Sequence, residues 1–253
     1  MSSVLRVAWF DLRQEFSPPI PILLQWVTFG LQLFVYGALI SRLVTRIPDY
    51  LQFYAVGYVI ILVFDVATIA GLRFVEQGHS GRLPYMLSLP LPRWKLFVAT
   101  ALQGGIWLAL TISVPLTVTL TIIGNLSITS ISAALASLFL LGFGASGLML
   151  ALSFVAFKSS DVYFAVIAGM NTINVRFSTV LYPFIFLPAA YATMALFSPL
   201  TYGSDLVRLF LGISVDSSLD PRYEVVVLSI LALGTLGLGI YLLERLVEGV
   251  KSG

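Results

Sequence analysis

Long apolar runs, separated by short polar stretches, dominate this 253-residue chain. A helix needs about 20 apolar residues to cross a hydrocarbon core about 30 Å thick. Windows of that kind fall at Pro21 to Ile40, Leu51 to Leu72, Leu96 to Ile123 and Ile131 to Phe157. Apolar residues run continuously through each window instead of alternating, which predicts helices and argues against a water-filled barrel. A fifth apolar region, Val162 to Phe197, is longer than one span and is interrupted by Asn171, Asn174, Arg176, Pro183 and Pro188. It reads as a helix over about Val162 to Val175 followed by broken structure. Val225 to Leu243 is again long and nearly free of charge. The pattern predicts an all-α, polytopic membrane protein in one domain, residues 1–253. Its six transmembrane helices lie at about 21–40, 51–72, 96–123, 131–157, 162–177 and 225–243.

Composition sharpens this picture. The chain is 58% hydrophobic and 10% charged, against about a quarter charged in ordinary soluble domains. With no cysteine, disulfides, thiolate catalysis and cysteine-bound metals are excluded. A net charge of +2 without a basic cluster gives no footprint for nucleic acid. With six spans both termini share a side, and basic residues stay preferentially in the cytoplasm. Cytoplasmic termini place Arg6, Arg13, Arg73, Arg82, Arg93, Lys95, Lys158, Arg245 and Lys251 inside, nine of the fourteen Lys and Arg. The expected location is the plasma membrane. No cleavable signal peptide is read at the N-terminus. Leu5, Trp9, Leu12 and Phe16 recur at helical spacing ahead of the first span, the pattern of an amphipathic helix lying in the inner interface. A charged leader that keeps the N-terminus inside is the simpler alternative.

Candidate chemistry is sparse. One histidine, His79, cannot assemble a zinc or haem site. No G-x-x-x-x-G-K-[ST] motif occurs, since none of the three lysines follows a glycine. The chain is therefore not expected to be an enzyme or to hold a cofactor, and ATP hydrolysis, if used, belongs to another chain. Within the spans Asp65 is the one acid, and a charged Asp at a helix centre costs about 2.5–3.5 kcal/mol on insertion scales. It is either protonated or paired, Arg73 being two turns along on the same face, and structural and functional roles stay equally open. Small residues (Gly142, Gly144, Ala145, Ser146 and Gly147; Gly234, Gly237 and Gly239) permit close helix packing.

One polar interruption is unusual. After the second span the helix continues through Arg73 and Glu76, breaks at Gly78 and Gly81, and meets Pro84 at a favourable first helical position. Leu83 to Leu89 can form two turns before Pro90 and Pro92 stop them. Leu83, Tyr85, Met86, Leu87 and Leu89 make this piece too apolar for a solvated turn, so it either lies on the lipid surface or docks a protein partner.

Here the sequence resembles the type 2 ABC transporter permeases, the integral subunits of ATP-driven exporters. The stretch "FVEQGHSGRLPYMLSLPLPRWKL" is similar to the family's acidic residue and G-x-L-x-x-L-x-x-x-P-x-x-R loop, matched by Glu76, Gly81, Leu83, Met86, Pro90 and Arg93, with Met86 where leucine is more usual. "YPFIFLP" and "SPLTYGSDLVRLFLG" resemble its external segment, carrying Pro183, Pro199, Leu200, Tyr202, Asp205 and Arg208.

The resemblance implies several features. A cytoplasmic coupling helix between spans two and three, with Arg82, Pro84, Tyr85 and Leu87 among its contacts, engages two P-loop ATPase subunits that carry ATP and Mg. An N-terminal elbow helix holds Leu5, Trp9, Leu12 and Phe16. External re-entrant helices lie between spans five and six, stabilised by Asp205 and Arg208. A second permease chain, identical or not, completes a dimer in the lipid. The pathway would follow the first, second and fifth spans, with Gln32, Tyr58, Asp65, Asn171 and Asn174, and aromatics such as Phe29, Tyr36 and Tyr54, as candidate lining. That favours a hydrophobic or amphipathic cargo moved outward. A secondary transporter driven by ions or protons and a non-transporting scaffold are the alternatives.

Overall fold

A computed structural model describes residues 20–41, 44, 47, 49–81, 93–155, 160–213 and 219–251, and their regular structure is entirely helical. The elements are α1 (Ile20–Gln32, continued by a π-helix, Leu33–Leu39), α2 (Tyr50–His79), α3 (Arg93–Ile123), α4 (Ile128–Val155) and α5 (Ser160–Arg176). There follow a 3-10 turn (Phe184–Phe186), α6 (Ala189–Ala195), α7 (Pro199–Phe210) and α8 (Pro221–Lys251).

Among the described residues five helices are long and apolar enough to cross a membrane, over Ile20–Leu39, Tyr50–Gln77, Gln103–Ile123, Ile128–Ser153 and Pro221–Gly239. The chain is a helical, multi-pass membrane protein. The expected fifth span, 162–177, is not among these five: α5 has 17 residues, about 25 Å of rise, and Asn171, Asn174 and Arg176 dilute its last turns. The second span is longer than its apolar window. Helix α2 passes through Gly78, where a break was expected, and ends at His79. Gly81 then takes φ +73°, a left-handed conformation that suits glycine at a helix end.

The core forms where α2 crosses α4. Val56, Val59, Ile60, Val63 and Phe64 of α2 are buried with Leu138, Leu141, Ala145 and Met149 of α4. Helix α8 covers the other side of α4, where Thr235 Oγ1 donates to the Gly144 carbonyl at 2.9 Å. Tyr163 fastens α5 to α2 by donating its hydroxyl to the Thr68 carbonyl at 2.9 Å.

Helix α1 is held differently. Pro115 lies inside α3 and has no N–H to offer the carbonyl of Thr111, four residues back. In hydrocarbon such a carbonyl must find another donor. Trp26 of α1 supplies it, its Nε1 donating to Thr111 O at 3.0 Å. A helix defect in α3 thus becomes the docking point for α1.

Candidate functional site

At one end of the bundle α1, α2 and α5 part to leave a cleft of about 740 Å³. Helix α2 builds its principal wall. Tyr50, Tyr54, Tyr58, Ile61 and Asp65 recur at three- and four-residue spacing, so they share a helix face. The tyrosine rings form a ladder, with centroids 6.0 Å apart for Tyr50 and Tyr54 and 6.2 Å for Tyr54 and Tyr58. From α1, Tyr36 stacks on Tyr54 at 5.9 Å, and Gln32 Oε1 accepts the Tyr54 hydroxyl at 3.2 Å. The π-helical turn that carries Tyr36 also contains Gly37, buried against Leu51. Ala168, Asn171, Thr172, Val175 and Arg176 of α5, with Leu181 and Tyr182 after it, close the remaining side.

Of the candidate pathway residues, Gln32, Tyr58, Asp65 and Asn171 line this cleft, as do Tyr36 and Tyr54. Asp65 does not pair with Arg73. Asn171 Nδ2 donates to its Oδ1 at 3.2 Å, while the Arg73 guanidinium lies 4.4 Å over the Trp107 ring. Two candidates fall elsewhere. Asn174 is buried and donates Nδ2 to Met170 O of its own helix at 2.9 Å. Phe29 is 2% exposed and packs behind the wall against Tyr58, centroids 5.8 Å apart. Tyr50, Tyr182 and Arg176, which the sequence reading did not single out as lining, belong to the cleft. The four-residue repeat Tyr50, Tyr54, Tyr58 was a signal for the first of these.

Behind this wall lies a buried polar knot. Every residue of α7 from Pro199 to Arg208 is buried. Arg208 is 0% exposed, with its guanidinium carbon 3.5 Å over the Phe53 ring. Its Nη1 donates to Thr179 O at 2.7 Å, and its Nη2 to Val180 O at 2.6 Å and Phe53 O at 3.2 Å. Asp205 Oδ1 stands 3.8 Å from Nη1 and accepts the Thr179 hydroxyl at 2.9 Å. Burial pushes the Asp205 carboxyl up, against the opposing pull of Arg208 and the hydroxyls of Thr179 and Ser204. Burial lowers the Arg208 guanidinium from its ordinary value, against the opposing pull of Asp205.

The fit requires glycine at position 57, because a Cβ there would stand 2.2 Å from Val180 O and 2.9 Å from Arg208 Nη2. Hydroxyls satisfy the broken backbone around α7: Ser198 Oγ donates to Asn174 O at 3.1 Å and Thr201 Oγ1 to Ala195 O at 2.7 Å.

Of the expected external residues, Pro199, Leu200, Tyr202, Asp205 and Arg208 all lie on α7. Pro199 is its first residue, Tyr202, Asp205 and Arg208 point into its buried surroundings, and Pro183 is buried just before the 3-10 turn. Of the expected coupling residues, Glu76 is exposed on the last turn of α2, Gly81 forms the turn after it and Arg93 opens α3. Arg82, Leu83, Pro84, Tyr85, Met86, Leu87 and Pro90, and the expected elbow residues Leu5, Trp9, Leu12 and Phe16, lie outside the described residues. Among the described residues no group of His, Cys, Asp and Glu could hold a metal ion. A scan against protein-family models finds no match, and a search of curated proteins finds none either.

Proposed function

We propose that the chain is the permease subunit of an ATP-driven exporter of the type 2 ABC class. The observation that carries this reading is the cleft among α1, α2 and α5, large enough for a drug-sized molecule and lined by side chains that combine aromatic faces with few polar groups. It coincides with the pathway that the sequence resemblance implies. In this reading α5 completes six spans with the help of the chain that follows it, and both termini are cytoplasmic in the plasma membrane. Helix α7 is re-entrant: Gly203 packs against Leu141, about 20 Å along α4 from its first residue, at a depth where broken backbone needs protein partners.

Two cytoplasmic P-loop ATPases dock on the segment Arg82 to Pro92 and hold ATP and Mg. A second permease chain completes the assembly, and the cargo is hydrophobic or amphipathic. The test is the ATPase activity of the assembly purified intact from its native membrane. Wild-type chain brings with it a P-loop ATPase whose hydrolysis responds to the permease, whereas Leu87→Asp inserts normally and loses that response. An assembly without such an ATPase, or an unchanged response in Leu87→Asp, sinks the reading.

One observation favours a second reading. Asp65 lines the cleft, as expected of a proton- or ion-coupled transporter. That reading requires transport in liposomes without ATP.

A further inference from the structure

We propose that the cleft binds a hydrophobic organic cation carrying one positive charge, seated between the tyrosine ladder of α2 and the Asp65 carboxylate. This deepens the exporter reading, and rests on it only in treating the occupant as cargo.

Three observations carry the assignment. First, a carboxylate in the apolar slab is costly unless something positive compensates it. Asp65 has only the neutral amide of Asn171, on Oδ1. Its Oδ2 makes no hydrogen bond, and no Lys or Arg pairs with the carboxylate, among the described residues, although Asp65 lines an open cleft. Ionised, the Asp65 carboxylate stands without a positive partner among the described residues, a deficit that a bound cation would fill.

Second, aromatic faces attract cations, by about 0.5–2 kcal/mol per ring depending on desolvation. The Tyr54 hydroxyl is tied to Gln32, which fixes that ring within the ladder. Tyr58 lies two turns from Asp65 on the same face, about 10 Å of rise, a span that an aromatic cation can bridge.

Third, the charge pattern limits the ligand. Arg176 lines the cleft on α5, about 7.5 Å of rise beyond Asn171. A second positive charge extending toward that end would meet a guanidinium, so one charge fits at the Asp65 end and an apolar body fills the rest.

Tetraphenylphosphonium and tetraphenylborate share shape and size and differ in the sign of their charge, which makes them a direct probe of the cleft. Saturable binding of each is measured by equilibrium dialysis on the purified chain in nanodiscs. The phosphonium is expected to bind at least about tenfold more tightly than the borate. Asp65→Asn abolishes that preference and Asp65→Glu keeps it. Tyr58→Phe keeps phosphonium affinity, because the ring face remains, and Tyr58→Leu lowers it severalfold. A bis-quaternary ammonium of similar bulk binds more weakly than the phosphonium, and Arg176→Gln narrows that gap.

Equal binding of the two tetraphenyl ions, or an unchanged preference in Asp65→Asn, overturns the cation site. Should Asp65→Asn fail to fold, Tyr58→Leu decides: retained phosphonium affinity in that variant overturns it as well. Binding needs neither ATP nor a partner. Loss of the cation preference with intact ATPase coupling therefore rejects this site alone, while cation binding without any coupled ATPase rejects the exporter alone.

Discussion

Replacing Arg208 by leucine keeps comparable apolar bulk and removes every polar interaction of its guanidinium. Three carbonyls, Thr179 O, Val180 O and Phe53 O, lose their donor from a charged group. Each carbonyl left unpaired in a buried site costs about 1–3 kcal/mol. Asp205 loses its counter-charge, and breaking a buried pair from one side costs about 3–5 kcal/mol. These contributions overlap, because an uncompensated Asp205 takes up a proton and retains the hydroxyl of Thr179. The expected loss is therefore about 3–5 kcal/mol, a large share of the 5–15 kcal/mol typical of a folded domain.

Asp205→Asn should cost less, about 1–2 kcal/mol, because its amide oxygen can still accept the Thr179 hydroxyl and three carbonyls still solvate the guanidinium. Arg208→Lys should fall between the two, since one ammonium cannot reproduce the planar fork that serves carbonyls on both sides. Unfolding in mixed micelles, followed by intrinsic fluorescence, measures all three variants. A cost below about 1 kcal/mol for Arg208→Leu, or one no larger than that of Asp205→Asn, would show that backbone carbonyls are not what holds this arginine.

Two further substitutions probe the close contacts around this frame. Trp26→Phe strands the Thr111 carbonyl in α3 and should cost about 1–3 kcal/mol in the same unfolding measurement. In a Pro115→Ala background the restored N–H serves that carbonyl, and the effect of Trp26→Phe should shrink. Gly57→Ala puts a methyl where Val180 O already stands and should cost about 1–3 kcal/mol. Its effect should be largely lost in an Arg208→Leu background, where the Val180 carbonyl is no longer held.

The spans were legible because an apolar window long enough to cross a bilayer has few other uses. The same logic picked out Gln32, Asp65 and Asn171, polar positions in otherwise apolar segments that line one cleft. It failed at Asn174, because a polar side chain in a membrane helix can also be satisfied by its own backbone, here at Met170 O. For Arg208 the sequence offered only the three-residue spacing to Asp205. The acceptor that matters for position is the Phe53 carbonyl, 155 residues away in sequence, and a backbone carbonyl leaves no trace in residue identities. Gly57 is one of 20 glycines, and its role depends on which loop approaches it. The π-helix was equally hidden: Leu33 to Leu39 reads as an ordinary apolar turn, and the extra residue shows only once Gly37 meets Leu51.

Cleft and knot share one helix. Phe53 sits between Tyr50 and Tyr54, so the residue whose carbonyl accepts Arg208 is flanked by two rungs of the tyrosine ladder. The ladder's position is thereby set from its flank by the Arg208 hydrogen bond from α7 and from the far face of α2 by packing on α4. Helix α2 is the most buried of the five long apolar helices and α1 the least. On the other side of the cleft, α5 leaves Val162, Phe164, Val166 and Ile173 exposed. Shifting α2 would break the buried charged hydrogen bond from Arg208 to the Phe53 carbonyl and the packing on α4, whereas α1 is held by the neutral hydrogen bonds of Trp26 and Gln32 and by side-chain packing. Any change in the width of the cleft therefore falls mainly on α1, the least buried of the long helices, with α2, its tyrosines and the α5 helix bound to it through Tyr163 and Asn171 as the fixed walls against which an occupant is held.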